Sequence, residues 1–285
     1  LWGLFGNVIT VLVLTKQGLR DTLNILLTSI AVFDTVFCFT QLLQEGIFIL
    51  NNYDTHAGNK YLIAYFQGIV QWNHLALTSS IYSVAIIGVE RLIAVCFPFL
   101  AARICTPYRT KCLVVLTEVF IFTFTFPQLF LFTEYKFQKH LVVRLIRSWA
   151  TNSHAMFYWI YLMPLVQVIL PLCVLTICYS VIVVMLRTAF KKKSKMASKI
   201  TKSKKLKELK IFRLLFTLMT LALISFLPAV LMSMTLFSTK ASGFVLNTDS
   251  FDFIQILVKF FSHLFPSANF IIYVTLSSKF AATYR

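Results

Sequence analysis

Charge is scarce in this chain, and acid is the scarcest part of it: 13% of the 285 residues are charged, with 10 Asp+Glu against 27 Lys+Arg. A water-soluble domain averages about 25% charged residues, so the shortage excludes an ordinary soluble globule and a solvated disordered tail. Glycine, at 8, and proline, at 7, are too few for a collagen-like repeat. There is no G-x-S-x-G, no H-E-x-x-H and no second intramembrane aspartate to face Asp34. The chain therefore reads as a non-enzyme without a cofactor. Its six cysteines (Cys38, Cys96, Cys105, Cys112, Cys173 and Cys178) follow no zinc-ligand spacing.

What the chain does have is hydrocarbon: 58% of it is apolar and 15% aromatic. Apolar stretches run over 1–15, 24–50, 62–96, 112–132, 157–186, 211–237 and 251–275, with almost no charge inside them. A spanning helix needs about 20 residues, and in lipid the backbone can satisfy itself only as helix or closed barrel. Strict alternation is absent, so the expectation is an all-α membrane protein, a seven-transmembrane helix bundle formed by 1–285 as a single domain. Pro127, Pro164, Pro171, Pro228 and Pro266 lie in or beside four of the stretches and predict kinks there.

Orientation follows from the bias of Lys and Arg toward cytoplasmic connections. One set of alternate connections, including 187–213, collects 20 of the 27, and the other collects 7. The N-terminus is then expected outside and the C-terminus in the cytoplasm, as in a multi-pass plasma-membrane protein. The Lys191–Lys210 run reads as a topology signal attracted to an anionic inner leaflet. No groove-reading or base-stacking pattern accompanies it, so nucleic acid is not an expected partner. Because Leu1 is not Met and the first stretch is short, the chain reads as a fragment lacking its N-terminal and C-terminal tails. The cysteines all fall in spans or on the basic side, leaving none for an outer disulfide.

Ionisable groups inside a membrane are costly and normally face the bundle interior. Asp34 is central in the second stretch, with Asn7 in the first and Asn269 in the last as candidate partners. Two readings stay open: a hydrated cluster that switches protonation or ion occupancy, and a static interhelical hydrogen-bond knot. Glu118 in the fourth stretch is the residue that would revive proton-coupled transport, against a plain hydrogen bond to a neighbouring helix. Glu90-Arg91-Leu92 ends the third stretch, and Glu208 precedes Pro228 by 20 residues, about 30 Å of helix, which sets it level with Arg91. An Arg91–Glu208 pair there would bias a two-state helix movement.

Together these residues resemble the rhodopsin-like (class A) G-protein-coupled receptors. The resemblance rests on Gly6-Asn7, Ala31-x-x-Asp34, Glu90-Arg91-Leu92 for D/E-R-Y, Pro171 with Tyr179, Phe226-Leu227-Pro228 for C-W-x-P, and Asn269 to Tyr273 for N-P-x-x-Y. Three details are similar to the invertebrate FMRFamide-like neuropeptide receptors: Asn-Phe-Ile-Ile-Tyr at 269–273, the 97–106 segment, and Phe126-Pro127-Gln128-Leu129-Phe130. The resemblance implies a receptor for an extracellular ligand, foremost a short neuropeptide, that activates a heterotrimeric G-protein as the sixth helix moves outward. A chemosensory receptor for small environmental molecules is the alternative within the fold.

The chain also departs from that pattern. Phe66 takes the place of the cysteine at the outer end of the third span, so the 133–156 loop is held by packing alone or is mobile. Phe226 replaces the toggle tryptophan, Leu92 the tyrosine of D/E-R-Y, and Phe270 the proline of N-P-x-x-Y. Asp34, Ser80 and Asn269 match polar positions of the family's sodium pocket, but Phe265 and Pro266 stand where polar residues are common. Asn73 occupies the aspartate position of amine receptors and His263 the retinal-lysine position of opsins, which argues against both ligands.

The outer cavity is expected to be lined by Gln44, Glu45, Gln71, Asn73, His74, Gln167, Met232, Gln255, Lys259 and His263, with Glu45 and Asp252 as partners for a ligand arginine. Against this, Lys259 could pair internally with Glu45, and His263 could be a satisfied core histidine. By resemblance, Tyr179 and Tyr273 receive Arg91 when it leaves Glu208. Leu206, Leu209 and Phe212 give the inner extension of the sixth helix one apolar face, for packing or for G-protein contact. Ser277 to Arg285 begins a short amphipathic helix on the inner membrane face.

Overall fold

The computed structural model describes residues 1–53, 55–127, 132–138, 141–146, 157–193, 213–228, 231 and 248–284. Helix α1 (Trp2–Gln17) stops at Gly18, whose φ of 91° lets its N–H close back on the Thr15 carbonyl at 3.0 Å. Helices α2 (Thr22–Tyr53) and α3 (Thr55–Cys96) follow, and a short α4 (Pro98–Ile104) leads into α5 (Pro107–Thr125). Prolines open α4 and α5 where a missing N–H costs nothing, and the Thr106 hydroxyl caps α5 by accepting from the Arg109 N–H.

Strands β1 (Phe132–Gln138) and β2 (Leu141–Ile146) form an antiparallel hairpin with Tyr135 opposite Arg144. Two π-helical turns, Tyr158–Leu162 and Leu165–Ile169, flank Pro164 and run into α6 (Leu170–Lys193). The wider turns fall where the proline removes a backbone donor. Then come α7 (Arg213–Pro228), α8 (Thr248–Leu276), with Pro266 inside it, and the short α9 (Ser278–Tyr284).

Two corrections to the sequence reading emerge. The fourth apolar stretch was expected over 112–132, but its helix begins at Pro107 and is over by Thr125, while Phe132 belongs to a strand. The Thr106-Pro107 cap outweighs the polar Arg109 and Lys111 that follow. The connection after it contains this antiparallel hairpin, so the all-α description applies to the helices that form the bundle.

Four described helices carry windows long and apolar enough to cross a membrane: Thr22–Ile47, Gln71–Cys96, Leu165–Met185 and Ile256–Leu276, with Arg213–Pro228 a shorter apolar helix. Polarity in the bundle is inverted relative to a soluble protein. Phe5, Leu12, Val115, Ile177 and Ile256 are each at least 60% exposed, while Asn7, Asp34, Ser79, Ser80 and Asn269 are buried to 1% or less. Only a hydrocarbon solvent makes that arrangement favourable. The core between the helices is apolar too, with Leu26, Ile30, Ile81, Leu175, Leu218 and Phe265 almost completely covered.

The close approach of α1 to α8 depends on two glycines. A Cβ at Gly6 would lie 2.7 Å from Phe270 Cβ, and one at Gly3 would lie 3.2 Å from Ser267 Oγ, both on α8. Gly6→Ala is therefore expected to lower stability by about 1–3 kcal/mol, read as an earlier thermal transition in detergent micelles. The same change at Gly46, where a Cβ meets nothing within 4 Å, serves as the control.

Candidate functional site

Asp34 stands one turn before the middle of α2 and is 1% exposed. The Ser80 hydroxyl of α3 donates to its Oδ1 at 2.7 Å, and Asn269 Nδ2 of α8 donates to its Oδ2 at 2.5 Å. One carboxyl thus joins three helices. Beside it, Asn7 Nδ2 of α1 donates to the carbonyl oxygens of Gly3 and Pro266, each at 2.8 Å, which adds a fourth helix. The glycine contacts between α1 and α8 are what bring Asn7 within reach of the Pro266 carbonyl.

Phe226, at the end of α7, is 1% exposed and packs on the fully buried Phe265 of α8, ring centroids 5.8 Å apart. The aromatic step from α7 to α8 thus lies one turn from Asn269. Further along α8, Tyr273 is buried with its ring 5.7 Å from that of Phe280 of α9, and its hydroxyl has no hydrogen-bond partner among the described residues. Phe280 therefore docks α9 onto the bundle, helped by Gln17 Nε2 donating to Thr283 Oγ1 at 3.1 Å.

At the end of α3, Glu90 is 8% exposed and its Oε1 accepts from Thr110 Oγ1 of α5 at 2.6 Å. Arg91 Nε is buried with no hydrogen-bond partner among the described residues. Tyr179 of α6 engages α7 instead: its ring stacks on Phe216 at 4.8 Å and its hydroxyl lies 3.3 Å from Thr220 Oγ1. Thr110 and Thr220 had no place in the sequence reading, since hydroxyls spaced along apolar helices are common and most bond only to their own helix. Glu208, Met232 and the 206–212 face lie outside the described residues, as do the side chains of Asp252 and Gln255. Cys105, between α4 and α5, has its thiol pushed up from the ordinary range by burial and by the Glu90 carboxylate, so it stays neutral.

At the opposite end of the bundle Lys259 Nζ of α8 forms an ion pair with Glu45 of α2, both side chains about half exposed at 46% and 49%. His263, one turn along α8, packs on Phe37 with ring centroids 5.2 Å apart, and its Nδ1 lies 2.6 Å from the Lys259 carbonyl, which as an acceptor places the proton on Nδ1. Asn73 Nδ2 donates to Thr40 Oγ1 at 3.0 Å. These contacts gather α2, α3 and α8 around one mouth. Gln71 turns the other way, donating to the Thr125 carbonyl of α5 at 2.7 Å, while Gln167 is buried on the π-helical segment. Gln44 is half-buried near the mouth and His74 exposed on α3. Glu118 accepts from Ser79 Oγ at 2.5 Å, a link between α5 and α3.

An acid joined to three helices, an aromatic contact between α7 and α8, and a buried arginine toward the far end of α3 are the polar and aromatic features that link the helices. Compared with known proteins, the chain matches the 7 transmembrane receptor (rhodopsin family) over residues 6–273. The chain belongs to that family. The receptor is similar to the FMRFamide receptor of Drosophila melanogaster, 26% identical over 98% of this chain and 50% of that protein. It is also similar to the FMRFamide peptide receptor frpr-18 of Caenorhabditis elegans, 30% identical over 99% of this chain and 65% of that protein. The chain thus spans about half to two thirds of the length of these relatives. It is a multi-pass, rhodopsin-like receptor related to FMRFamide receptors, and its family is one of receptors and not of enzymes.

Proposed function

We propose that the receptor lies in the plasma membrane, crosses it seven times with its N-terminus outside, and binds a short FMRFamide-like neuropeptide at the Glu45 end. It then activates a heterotrimeric G-protein at the Arg91 end. The observation that carries this reading is the similarity to two FMRFamide receptors along almost the whole chain. The mouth supports it. Glu45 faces a cation already, and a ligand arginine, with its forked guanidinium, competes with Lys259 for that carboxylate. Release of Lys259 frees α8 to shift relative to α2, and the shift reaches Phe226 through Phe265. The α7 end then swings out as Arg91 leaves Glu208 for Tyr179 and Tyr273.

Ser80 donates to one oxygen of Asp34 and Asn269 to the other, an engagement across three helices that favours the interhelical knot over a sodium site. Glu118 is engaged by Ser79, which favours a structural role over proton transport.

The test is agonist-dependent nucleotide exchange on a G-protein, using cells that express the full-length protein and a library of amidated peptides. Glu45→Gln is expected to weaken an Arg-containing agonist by about tenfold while leaving peptides without Arg unchanged, in keeping with about 1.5–3 kcal/mol for a hydrogen bond to a charged group discounted for exposure. Activation by small volatile compounds and not by peptides would replace this reading with a chemosensory one, and substrate flux in liposomes with a transporter.

A further inference from the structure

The receptor carries a hollow apart from the ligand mouth: an apolar groove of about 650 Å³ between α3, α5 and α6. Ile86, Val89, Leu113, Leu116, Leu170 and Val174 line it. Leu113 is 45% and Leu116 66% exposed, so the groove opens sideways, away from the bundle axis and toward whatever solvates the helices. In a bilayer that solvent is lipid, and the volume lies within the range of about 300–1,000 Å³ that holds a small ligand.

One end of the groove is polar. Tyr108, Arg109 and Cys105 form it, close to where α5 begins. Arg109 Nη1 donates to the Arg103 carbonyl at 3.0 Å, which holds the guanidinium while its other donors meet no side-chain acceptor among the described residues. Glu90 also lines the groove, but it is only 8% exposed and its Oε1 accepts from Thr110. The first turn of α5 adds the positive end of a helix dipole to the same spot. An apolar trough ending in a fixed cation is complementary to a hydrocarbon chain ending in an anion.

We propose that this groove holds one anionic phospholipid of the surrounding bilayer, with an acyl chain along Leu113, Leu116 and Val89 and its acidic headgroup at Arg109. The site is separate from the ligand mouth, and its occupancy does not depend on which agonist the receptor takes. A lipid seated there rests on the same Glu90–Thr110 contact that positions the residue next to Arg91.

The experiment uses the full chain in phosphatidylcholine vesicles containing a trace of phosphatidylserine with a diazirine on its acyl chain, followed by irradiation, digestion and mass spectrometry. Labelling is expected to concentrate on 86–93, 109–116 and 170–174, above that on the exposed Phe253, Ile256 and Phe260 of α8. Arg109→Gln is expected to cut labelling by the phosphatidylserine probe about fivefold, the ratio for one basic side chain near an anionic lipid, and to leave labelling by a phosphatidylcholine probe unchanged. Leu116→Trp, on an exposed position, is expected to reduce labelling by filling the groove without unfolding the chain. Uniform labelling around the bundle, equal labelling by the two probes, or indifference to Arg109→Gln would overturn the proposal.

Discussion

Asp34→Ala is expected to be the most damaging single substitution in the bundle, lowering stability by about 3–5 kcal/mol and reducing the amount of folded receptor at the cell surface. The change deletes the acceptor that Ser80 and Asn269 share, so two buried donors on two other helices lose their partner at once. Each donor left unsatisfied away from water costs about 1–3 kcal/mol, and the cavity left by the carboxyl group adds to it. Thermal unfolding in detergent, with surface expression as the cellular counterpart, measures the effect.

Asp34→Asn separates the two roles that this carboxyl could have. The amide keeps one acceptor oxygen and nearly the same volume, so Ser80 or Asn269 retains its bond and the stability loss is expected to stay near 1–2 kcal/mol. A static knot would then signal in proportion to the folded receptor present. A switch that changes its charge or ion occupancy would lose agonist-driven nucleotide exchange far beyond the loss of protein, because an amide cannot change its charge. The proposed mechanism runs through α8 and Phe226 and asks no charge change of Asp34, so the first outcome is expected; signalling per receptor down at least about tenfold, equivalent to about 1.4 kcal/mol on the two-state balance, would assign the carboxyl to the switch.

The contrast between what was and was not legible in the sequence has a physical origin. Asp34, Asn7 and Asn269 stood out because a polar group inside an apolar helix must find partners, and helical length alone set the three at similar depth. The partner Ser80 entered through resemblance. Thr110 as the acceptor's donor to Glu90 was not visible: which of many hydroxyls crosses to another helix depends on helix rotation, which composition does not encode. The same holds for Gln71, whose polar character suggested the mouth but whose rotation on α3 sends it to the Thr125 carbonyl. Asn73, two residues and about 200° further round, faces α2. The start of α5 was readable after the fact from Thr106-Pro107, a local cap signal that hydropathy overlooks. The hairpin after it was not, because a ladder between short segments leaves a weak periodic trace, and the search for lipid-length stretches ran straight through Phe132.

Tyr273→Phe is expected to act in the opposite sense to the Asp34 substitutions: it should raise thermal stability by about 1 kcal/mol and depress signalling. In the arrangement described here the Tyr273 hydroxyl is buried and unpartnered among the described residues, while the ring is well packed against Phe280. Burying a hydroxyl without a hydrogen bond costs about 1–3 kcal/mol by protein mutational data, so its removal relieves this packing and leaves the aromatic contact intact. The proposed active arrangement, in which Arg91 reaches Tyr273, gains a charge-assisted hydrogen bond through that same hydroxyl and loses it in the variant. Both changes favour the resting bundle. Their sum is expected to shift agonist potency by about tenfold or more toward higher concentration, with surface expression equal to or above that of the parent receptor. Unchanged potency together with higher stability would show that the hydroxyl is idle in both arrangements and would remove Tyr273 from the path between Arg91 and the G-protein.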